Sequence, residues 1–456
     1  MNRQSRNTAI LLTFLGATAL TAPARADSHD SSDALAERVA QLEALVEKLA
    51  GQLSTQEILV SEQRERLDAA EPVIADTAAK VEKAPVGKSD GFTVGATNVK
   101  MGGYVKADMI ALKNTGGDTA ASGSIVRDFY IPSTVPVGGP GSDWALDFSA
   151  RQTRFFFTTD TKLDGKTIGT RLELDFMVTG GGDERISNSY VPRLRHAFVT
   201  YDGLLAGQTW STFQDVGSLP DSVDFIGTTE GTVFIRQPMV RYTNGPFQIA
   251  LEQPETTVTT DAGARVLSGS DPLPDLVLRY NHKGDWGHVT LAAIGRSLNL
   301  EGGTLGLTAD DSAFGYGASL SGKLKLGAND DFRFMATAGE GLGRYIGLNI
   351  ANDAAVDVVG QSLEPIGTFS GFAAYRHVWD AKARSSLMFS YFNADTPTQF
   401  TGAAPTDEVW SLRGNFIYSP RPKLDFGLEY GYSERTTAGG LDGAQHRLQF
   451  TSKFAF

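Results

Sequence analysis

The last eleven residues of the chain, His446-Arg-Leu-Gln-Phe-Thr-Ser-Lys-Phe-Ala-Phe456, alternate between two kinds of side chain. Successive side chains of an extended strand point to opposite faces. One face of such a strand would carry His446, Leu448, Phe450, Ser452, Phe454 and Phe456. The other face would carry Arg447, Gln449, Thr451 and Lys453. The segment therefore predicts a strand with one mainly apolar and one polar surface.

The same alternation occurs upstream, in Arg171-Leu-Glu-Leu-Asp-Phe176 and Lys423-Leu-Asp-Phe-Gly-Leu-Glu-Tyr430. Alternating segments of about ten residues, separated by turn residues, are typical of transmembrane barrels. We therefore expect an all-β fold, a transmembrane antiparallel β-barrel over residues 98–456. Phe456 would end the barrel on its lipid-facing side, where we expect the barrel insertion machinery to recognise it.

Short turns and long loops alternate along the predicted barrel. The short turns are Asp164-Gly165, Asp202-Gly203, Asn244-Gly245, Lys283-Gly284-Asp285, Asn329-Asp330, Asp380-Ala381 and Ser419-Pro420-Arg421-Pro422. The long loops lie around 113–146, 179–190, 212–235, 253–273, 298–312, 339–365, 394–406 and 435–442. Outer-membrane barrels have short periplasmic turns and long external loops. Fifteen connections predict about 16 strands and place both chain ends in the periplasm.

A soluble β-sandwich or solenoid would explain the alternation equally well. It would not explain the aromatic residues near segment ends, which we interpret as membrane-interface girdles. These residues are Tyr104, Tyr201, Trp210, Tyr242, Trp286, Trp379, Trp410 and Tyr418.

The N-terminal residues predict an export signal. Arg3 and Arg6 precede an apolar stretch from Thr8 to Leu20 that is too short to span a bilayer, and Ala24-Arg25-Ala26 offers a cleavage site. We expect residues 1–26 to be a signal peptide. Its removal takes away three arginines and changes the formal net charge from -12 to -15.

Residues 27–70 contain a heptad pattern that predicts a periplasmic coiled coil. Val39, Val46, Leu53, Val60 and Leu67 occupy position a, and Leu35, Leu42, Leu49, Gln56 and Gln63 occupy position d. The alternative is a single amphipathic helix packed against its own chain. Valine at a with leucine at d favours two strands, but the glutamines weaken this preference. Residues 71–97 have no sustained period, which predicts a linker.

Composition and motifs argue against several other classes of protein. The chain has no cysteine, hence no disulfide and no thiolate metal site. Its acidic charge makes nucleic acid an unsuitable partner. The six histidines lack metal-ligand spacing, and no hydrolase nucleophile elbow occurs. His196 with Ser211 could imitate a hydrolase pair, but we expect no cofactor, no metal and no enzyme activity.

Arginines are concentrated in the first half of the predicted barrel: Arg151, Arg154, Arg171, Arg193, Arg195, Arg236, Arg241 and Arg279. An arginine on the lipid face costs about 2–4 kcal/mol at the bilayer midplane, so inward positions are expected. Alternation places Arg171, Arg193 and Arg195 inward. Such a series would favour anions, because guanidinium groups bind carboxylates with two hydrogen bonds. The alternative is that wall carboxylates such as Glu173 and Asp175 neutralise these arginines.

The loop 212–235 mixes apolar anchors with Asp215, Asp221 and Asp224. We expect it to fold into the lumen and narrow the pore. Its carboxylates would then face the arginines across a constriction and set up a transverse field. The alternative is that these acids are solvated outside the membrane.

Five motifs, together with a coiled coil ahead of a barrel, resemble the DcaP-like porins. The motifs are Gly103-Tyr-Val-Lys-Ala-Asp-Met-Ile110, Arg151-Gln-Thr-Arg154, Arg195-His-Ala-Phe198, Gly207-Gln-Thr-Trp-Ser-Thr-Phe213 and Arg236-Gln-Pro238. The resemblance implies a homotrimer of 16-stranded barrels with periplasmic coiled coils that takes up small anions, dicarboxylates among them. By match to the motifs, the implied lumen residues are Arg151, Arg154, Arg193, Arg195, Arg236 and Arg241.

The sequence thus predicts an outer-membrane porin for passive diffusion of small hydrophilic solutes, with anionic solutes preferred. Its partners would be two further copies of the chain, outer-membrane lipids and small anions. The alternative is a structural or adhesive barrel whose long loops bind a partner. No loop beyond residue 250 can be assigned a role.

Overall fold

The computed structural model describes residues 91–177, 190–268 and 271–456, together with five positions nearer the N terminus. The chain divides into two units, Met1–Ser89 and Asp90–Phe456. In the first unit, the five described positions, Ala40, Ala44, Glu47, Lys48 and Gly51, are helical and exposed. The predicted signal peptide, most of the predicted coiled coil and the predicted linker up to residue 90 lie outside the described residues. Residues 91–97 lead into the barrel and include strand β1 (Phe92–Val94).

A closed antiparallel barrel of sixteen strand positions forms among the described residues of the second unit. Strand β2 (Thr97–Asn114) pairs with the last strand, β22 (Asp442–Ala455), and this pairing closes the ring. Strands β3 (Ala145–Ser149) and β4 (Arg154–Leu163) together occupy the position next to β2. The predicted strand number is confirmed.

The other barrel strands follow in chain order: β5 (Lys166–Asp175), β6 (Arg193–Tyr201), β7 (Leu204–Trp210), β8 (Arg236–Asn244), β9 (Phe247–Glu252), β12 (Asp275–Gly284), β13 (Gly287–Leu300), β14 (Asp311–Leu326), β15 (Asp330–Glu340), β18 (Gly367–Val378), β19 (Ala383–Asp395), β20 (Thr406–Arg421) and β21 (Leu424–Thr437). Each pairs with the next along the chain, and β15 pairs with β18.

All seven predicted short turns connect neighbouring barrel strands. In two of these turns the backbone conformation explains the Asp-Gly sequence. Asp164 and Gly165 have φ of 49° and 78°, and Asp202 and Gly203 have φ of 51° and 84°. Two-residue hairpin turns of type I′ need positive φ at both central positions, which Asp-Gly tolerates. The longer connections that the structure describes lie at the opposite ends of the strands, as the alternation predicted, and the predicted loop 179–190 lies mostly outside the described residues.

Outward and inward side chains alternate with apolar residues outside. On β20, Leu412 and Phe416 are 46% and 48% exposed, whereas Arg413 and Asn415 between them are buried. This arrangement is the reverse of a soluble β-protein and suits a wall between hydrocarbon and a polar interior. Among the described residues, no helix has both the length and the apolar character needed to cross a membrane.

The predicted aromatic girdle is correct in part. Tyr201, Tyr242, Trp286, Trp379 and Tyr418 are exposed beside the short turns. Two of the eight aromatic residues instead contact the arginines: the Tyr104 ring centre lies 5.2 Å from the guanidinium carbon of Arg154, and that of Trp210 lies 4.4 Å from Arg236. For Tyr104 and Trp210 the girdle prediction was wrong, because a ring that stacks on a guanidinium group gains a cation–π contact.

Two long loops form a small sheet of their own. Strands β10 (Thr257–Thr259), β11 (Arg265–Leu267), β16 (Ala354–Asp357) and β17 (Ser362–Pro365) pair in the order β11-β10-β16-β17. Single helical turns at Ile125–Asp128 and Thr398–Thr401, and 3-10 turns at Pro132–Thr134, Val216–Ser218 and Gly343–Tyr345, lie in other loops.

Candidate functional site

The segment 211–235, between β7 and β8, runs along the inner faces of strands that lie far away in the sequence. Asp215 accepts hydrogen bonds from Arg279 Nη2 at 3.1 Å and from His288 Nε2 at 2.8 Å. Asp221 pairs with Arg384 at 2.6 Å. All five residues of the wall and loop that make these contacts are buried or partly buried, so these loop acids are held by basic side chains of the wall.

Asp224 is the third predicted loop acid, and it is also occupied. Its carboxylate lies 3.4 Å from Arg447 Nε and accepts a hydrogen bond from the Tyr130 backbone N–H at 3.2 Å. The backbone of the loop is fixed in the same way: Lys106 Nζ donates to the Val223 carbonyl at 2.9 Å, and the Val223 N–H donates to Glu429 at 2.7 Å. The acids Asp215, Asp221 and Asp224 therefore serve as anchors of the loop in this structure.

A second loop, 341–366, contacts this segment, and no feature of the sequence predicted that contact. Val233 and Ile346 form an antiparallel bridge, and the Phe234 N–H donates to the Tyr345 carbonyl at 3.0 Å. The Tyr345 hydroxyl donates to Asp275 at 2.6 Å. Arg296, fully buried, lies between Asp275 and Asp353 at 3.1 and 2.7 Å and so ties the loop to the wall.

Five arginines and two carboxylates gather on strands β4, β5, β6 and the start of β8; we call Arg154, Arg171, Arg193, Arg195, Arg236, Glu173 and Asp175 the arginine cluster. Arg195 Nε and Nη1 donate to Glu173 and Asp175, each at 2.8 Å. Arg193 donates twice to Asp175, each time at 2.9 Å. A bulge in the β5–β6 pairing beside Glu173 leaves Arg195 and its neighbour His196 both buried.

Arg171 and Arg154 complete the pairing around Glu173. Arg171 Nη2 donates to Glu173 at 2.5 Å, and Arg154 Nε lies 3.4 Å from the same carboxylate. The side chains of Arg171 and Arg193 remain 31% and 29% exposed, whereas that of Arg195 is 1% exposed. Arg195 is thus the buried link between Glu173 and Asp175, whereas Arg171 and Arg193 can present N–H groups to solvent.

Arg236 has aromatic neighbours in place of a carboxylate among the described residues. Its guanidinium carbon lies 4.4 Å from the Trp210 ring centre and 6.0 Å from that of Phe234. Its Nη1 atom is buried and makes no hydrogen bond within the described residues. Five guanidinium groups and two carboxylates leave the arginine cluster with a surplus of three positive charges.

The structure separates two predicted lumen residues from this cluster. Arg151 lies in the break between β3 and β4, where it pairs with Asp128, donates to the Phe176 carbonyl at 3.3 Å and stacks on Tyr190 at 4.4 Å. Arg241 lies further along β8, opposite Ala250 of β9 and Leu205 of β7. The suggested pair of His196 and Ser211 does not form among the described residues: His196 Nδ1 instead makes a hydrogen bond with Thr209 Oγ1 at 3.0 Å.

Glu230 is a titratable residue of the loop that the sequence did not single out. It is fully buried, and burial raises the pKa of its carboxyl from 4.5 to about 7, with Arg413 opposing the rise. Neither carboxylate oxygen meets hydrogen-bond geometry with the described residues. An isolated glutamate in a polar loop carries no local pattern that reveals such burial.

A closed 16-stranded antiparallel barrel with an apolar outer face and a charged inner wall defines an outer-membrane β-barrel protein with the porin fold. The model of the DcaP outer membrane protein family matches residues 87–456, so the chain belongs to that family. The resemblance seen in the sequence is confirmed.

The chain is similar to several solved structures, and the first of them supports the fold. The crystal structure of the outer membrane channel DcaP of Acinetobacter baumannii is 23% identical, with a TM-score of 0.65 over 81% of this chain and 100% of that chain. OmpF of Salmonella typhi in complex with daunomycin is 13% identical, with a TM-score of 0.49 over 79% and 98% of the two chains. OmpT of Vibrio cholerae is 11% identical, with a TM-score of 0.47 over 80% and 99%. No curated protein matches the chain.

Proposed function

We propose that this protein is an outer-membrane porin for passive diffusion of small hydrophilic anions, with carboxylates and dicarboxylates as preferred solutes. The observation that carries the proposal is the positive surplus of the arginine cluster. Arg171 and Arg193 keep about a third of their side chains exposed beside carboxylates that cannot neutralise all five guanidinium groups. A relative with the same fold is described as an outer membrane channel.

The charge balance elsewhere in the barrel supports the same direction of selectivity. The loop acids Asp215, Asp221 and Asp224 each have a wall cation within 3.4 Å, which removes them as competing negative charges. The large acidic excess of the chain includes residues in turns and outer loops, beyond a Debye length of about 8 Å at physiological salt. An ion in the lumen would therefore respond mainly to the arginine cluster.

Arginine geometry favours carboxylates over simple halides. The planar guanidinium group offers parallel N–H donors that match both oxygens of a carboxylate, as Arg193 already does with Asp175. A dicarboxylate could bind Arg171 and Arg193 in succession without a conformational change. Because Arg171 and Arg193 also pair with Glu173 and Asp175, they would bind the solute weakly enough to release it.

The test is a pair of measurements on the full-length protein in lipid. Liposome swelling with small sugars and with a dicarboxylate would show whether the barrel conducts, and the reversal potential in a salt gradient would give the sign of selectivity. We expect swelling with both solutes and an anion-selective potential. Absence of swelling would favour the structural or adhesive barrel, and cation selectivity would show that the arginines serve only as wall scaffolding.

We also propose that the protein assembles as a homotrimer through its barrels, with residues 27–70 as a parallel coiled coil in the periplasm. The heptad pattern and the family resemblance support this assembly. Cross-linking should stop at a trimer, and heat should convert a fast-migrating form to the unfolded monomer on gels. A single barrel in mild detergent would contradict the proposal.

A further inference from the structure

Three basic side chains surround one carboxylate on the inner faces of β14, β15 and β18. Asp331 accepts a hydrogen bond from Arg333 Nε at 2.6 Å, and its carboxylate lies 2.6 Å from Arg376 Nη2 and 3.7 Å from Lys323 Nζ. We call Lys323, Arg333, Arg376 and Asp331 the second basic cluster. Three positive charges and one negative charge leave this cluster with a surplus of two positive charges.

The cationic side chains of this cluster, and not its carboxylate, are the part that is open to the lumen. Leu320 is 45% exposed on the outer face of β14, and Tyr375 is 40% exposed on the outer face of β18. Alternation therefore turns Lys323 and Arg376 inward. Their side chains are 35% and 25% exposed, whereas that of Asp331 is 2% exposed. An anion in the lumen could reach the two cations without approaching the carboxylate.

The second basic cluster lies on the short-turn side of loop 211–235. The loop contacts this part of the wall through Ser321, which donates to Asp215, and through Arg333, which donates to the Leu219 carbonyl. Lys323 lies two residues nearer than Ser321 to the short turn that follows β14. A solute that passes the loop from the long-loop end would therefore meet this cluster next.

This cluster is separate from the arginine cluster. Around the ring, β9, β12 and β13 lie between β8 and β14, while β19 to β22 and β2 lie between β18 and β4. The two clusters therefore lie on roughly opposite walls. They also differ in height, because Arg193 and Arg236 are the first residues of strands that begin at long loops.

The surplus charge is not neutralised by the nearest acid in the chain. Asp330, next to Asp331, accepts a hydrogen bond from the Tyr375 hydroxyl at 2.6 Å instead. Among the described residues, Lys323 and Arg376 form ion pairs with Asp331 alone, and the buried Nε atom of Arg376 makes no hydrogen bond. Buried or half-buried N–H groups need a partner, so water or a dissolved anion must bind the remaining donors.

We propose that the second basic cluster is a binding site for small oxyanions with two negative charges, dicarboxylates and inorganic phosphate among them. A dianion would match the surplus of two. Arg376 offers a planar set of N–H donors and Lys323 a compact ammonium group to the same solute, while Arg333 stays bound to Asp331. The proposal deepens the proposed function and rests on it, since it assumes a lumen that conducts anions.

The test starts from the Arg171→Gln, Arg193→Gln protein, in which the arginine cluster is weakened and the second basic cluster is intact. The full-length protein is reconstituted in lipid, and inorganic phosphate or malonate is added at mildly alkaline pH. The measured quantity is the concentration that halves the chloride current of single channels. Lys323→Gln with Arg376→Gln is then introduced, and heat-modifiable migration on gels checks that the barrel folds.

Two further pairs of substitutions serve as controls in the same starting protein. Lys283→Gln with Lys382→Gln removes two charges at exposed positions beside short turns. Lys323→Arg with Arg376→Lys keeps both charges of the cluster and exchanges their positions. At about 5 Å and 0.1 M salt, each pair of unit charges changes anion binding by about a factor of two. Two charges removed opposite a dianion remove four such pairs.

We expect the half-blocking concentration to rise at least about tenfold with Lys323→Gln and Arg376→Gln, and to change by less than about threefold in both controls. Equal values in the glutamine pair and the turn control would overturn the proposal. Absence of block in the starting protein would overturn it too. A difference between phosphate and malonate would identify which oxyanion the site prefers.

A second readout does not depend on current. A ligand that binds the folded barrel raises the temperature at which the folded form is lost on gels. Phosphate should raise this temperature relative to chloride at equal ionic strength in the starting protein, and not after Lys323→Gln with Arg376→Gln. The same small rise in both proteins would contradict the site. Swelling and the reversal potential of the wild type report on the proposed function separately.

Discussion

Replacing Arg171 and Arg193 together by glutamine should remove much of the anion selectivity without unfolding the barrel. Both side chains are about one third exposed, and Glu173 and Asp175 keep Arg195 as a partner in the double variant. The surplus of the arginine cluster falls from three positive charges to one. Glutamine keeps N–H donors at both positions, so the change is mainly one of charge.

The size of the effect follows from Coulomb's law. An anion 5 Å from a guanidinium group gains about 0.8 kcal/mol in a medium as polar as bulk water. A Debye length of about 10 Å at 0.1 M salt reduces this to about 0.5 kcal/mol. Two lost charges therefore remove about 1 kcal/mol, a roughly fivefold fall in anion occupancy. The permeability ratio of anion to cation should fall by at least that factor.

The assay is the reversal potential of single channels in a salt gradient, at 0.1 M and 1 M mean concentration. Lys166→Gln with Lys382→Gln is the matched control, since it removes the same charge at exposed turns. The shift should shrink at 1 M salt, where the Debye length is about 3 Å. An equal shift in the control pair, or none in the arginine pair, would refute the assignment of selectivity to the arginine cluster.

Four further outcomes follow from the contacts. Arg195→Ala should cost about 3–5 kcal/mol and lower the temperature at which the folded form is lost on gels, because two buried carboxylates lose a guanidinium group. Glu230 has a raised folded pKa, so wild-type stability should fall as the pH rises from 4.5 to about 7 by about 3 kcal/mol, and Glu230→Gln should remove this part of the pH dependence of thermal unfolding. Tyr345→Phe leaves Asp275 and Gln237 without their hydroxyl partner, so loop 341–366 should loosen and open-channel current noise should increase. Deleting residues 27–90 should leave single-channel conductance nearly unchanged and lower the dissociation temperature of the trimer.

Each of these four predictions has a result that would contradict it. A thermally wild-type Arg195→Ala protein would show that the two carboxylates find other partners. Identical pH profiles for wild type and Glu230→Gln would place the titration elsewhere. Unchanged current noise in Tyr345→Phe would separate the loop from the conduction path, and a large conductance change on truncation would place the N-terminal segment in that path.

The inward direction of the arginines was accessible to sequence reasoning, but their partners were not. Alternation with Leu172 and Leu174 on β5 is enough to turn Arg171, Glu173 and Asp175 inward, because the strand period is two. The shared pairing of Arg195 with both carboxylates depends on the bulge between β5 and β6. A bulge of this kind has no reliable local signal, since it depends on how two strands meet.

For the loop acids too, the sequence indicated where they lie but not which residues bind them. Their loop was correctly singled out as long and anchored by apolar residues, and a transverse field across a constriction was expected from Asp215, Asp221 and Asp224. Arg279, Arg384 and Arg447, which bind them, lie on strands 64 to 223 residues away in the chain. No spacing rule connects such partners, because only closure of the barrel brings them together.

The sequence by itself determined the barrel, its strand number and its lipid-facing surface. These features repeat locally: each strand carries its own alternation, and each Asp-Gly turn its own backbone preference. The tertiary structure alone decided which charges remain unneutralised, which loops meet inside, and where the wall breaks beside Arg151. Those properties depend on contacts between strands far apart in sequence, whose geometry is fixed only when the ring of hydrogen bonds between β2 and β22 closes.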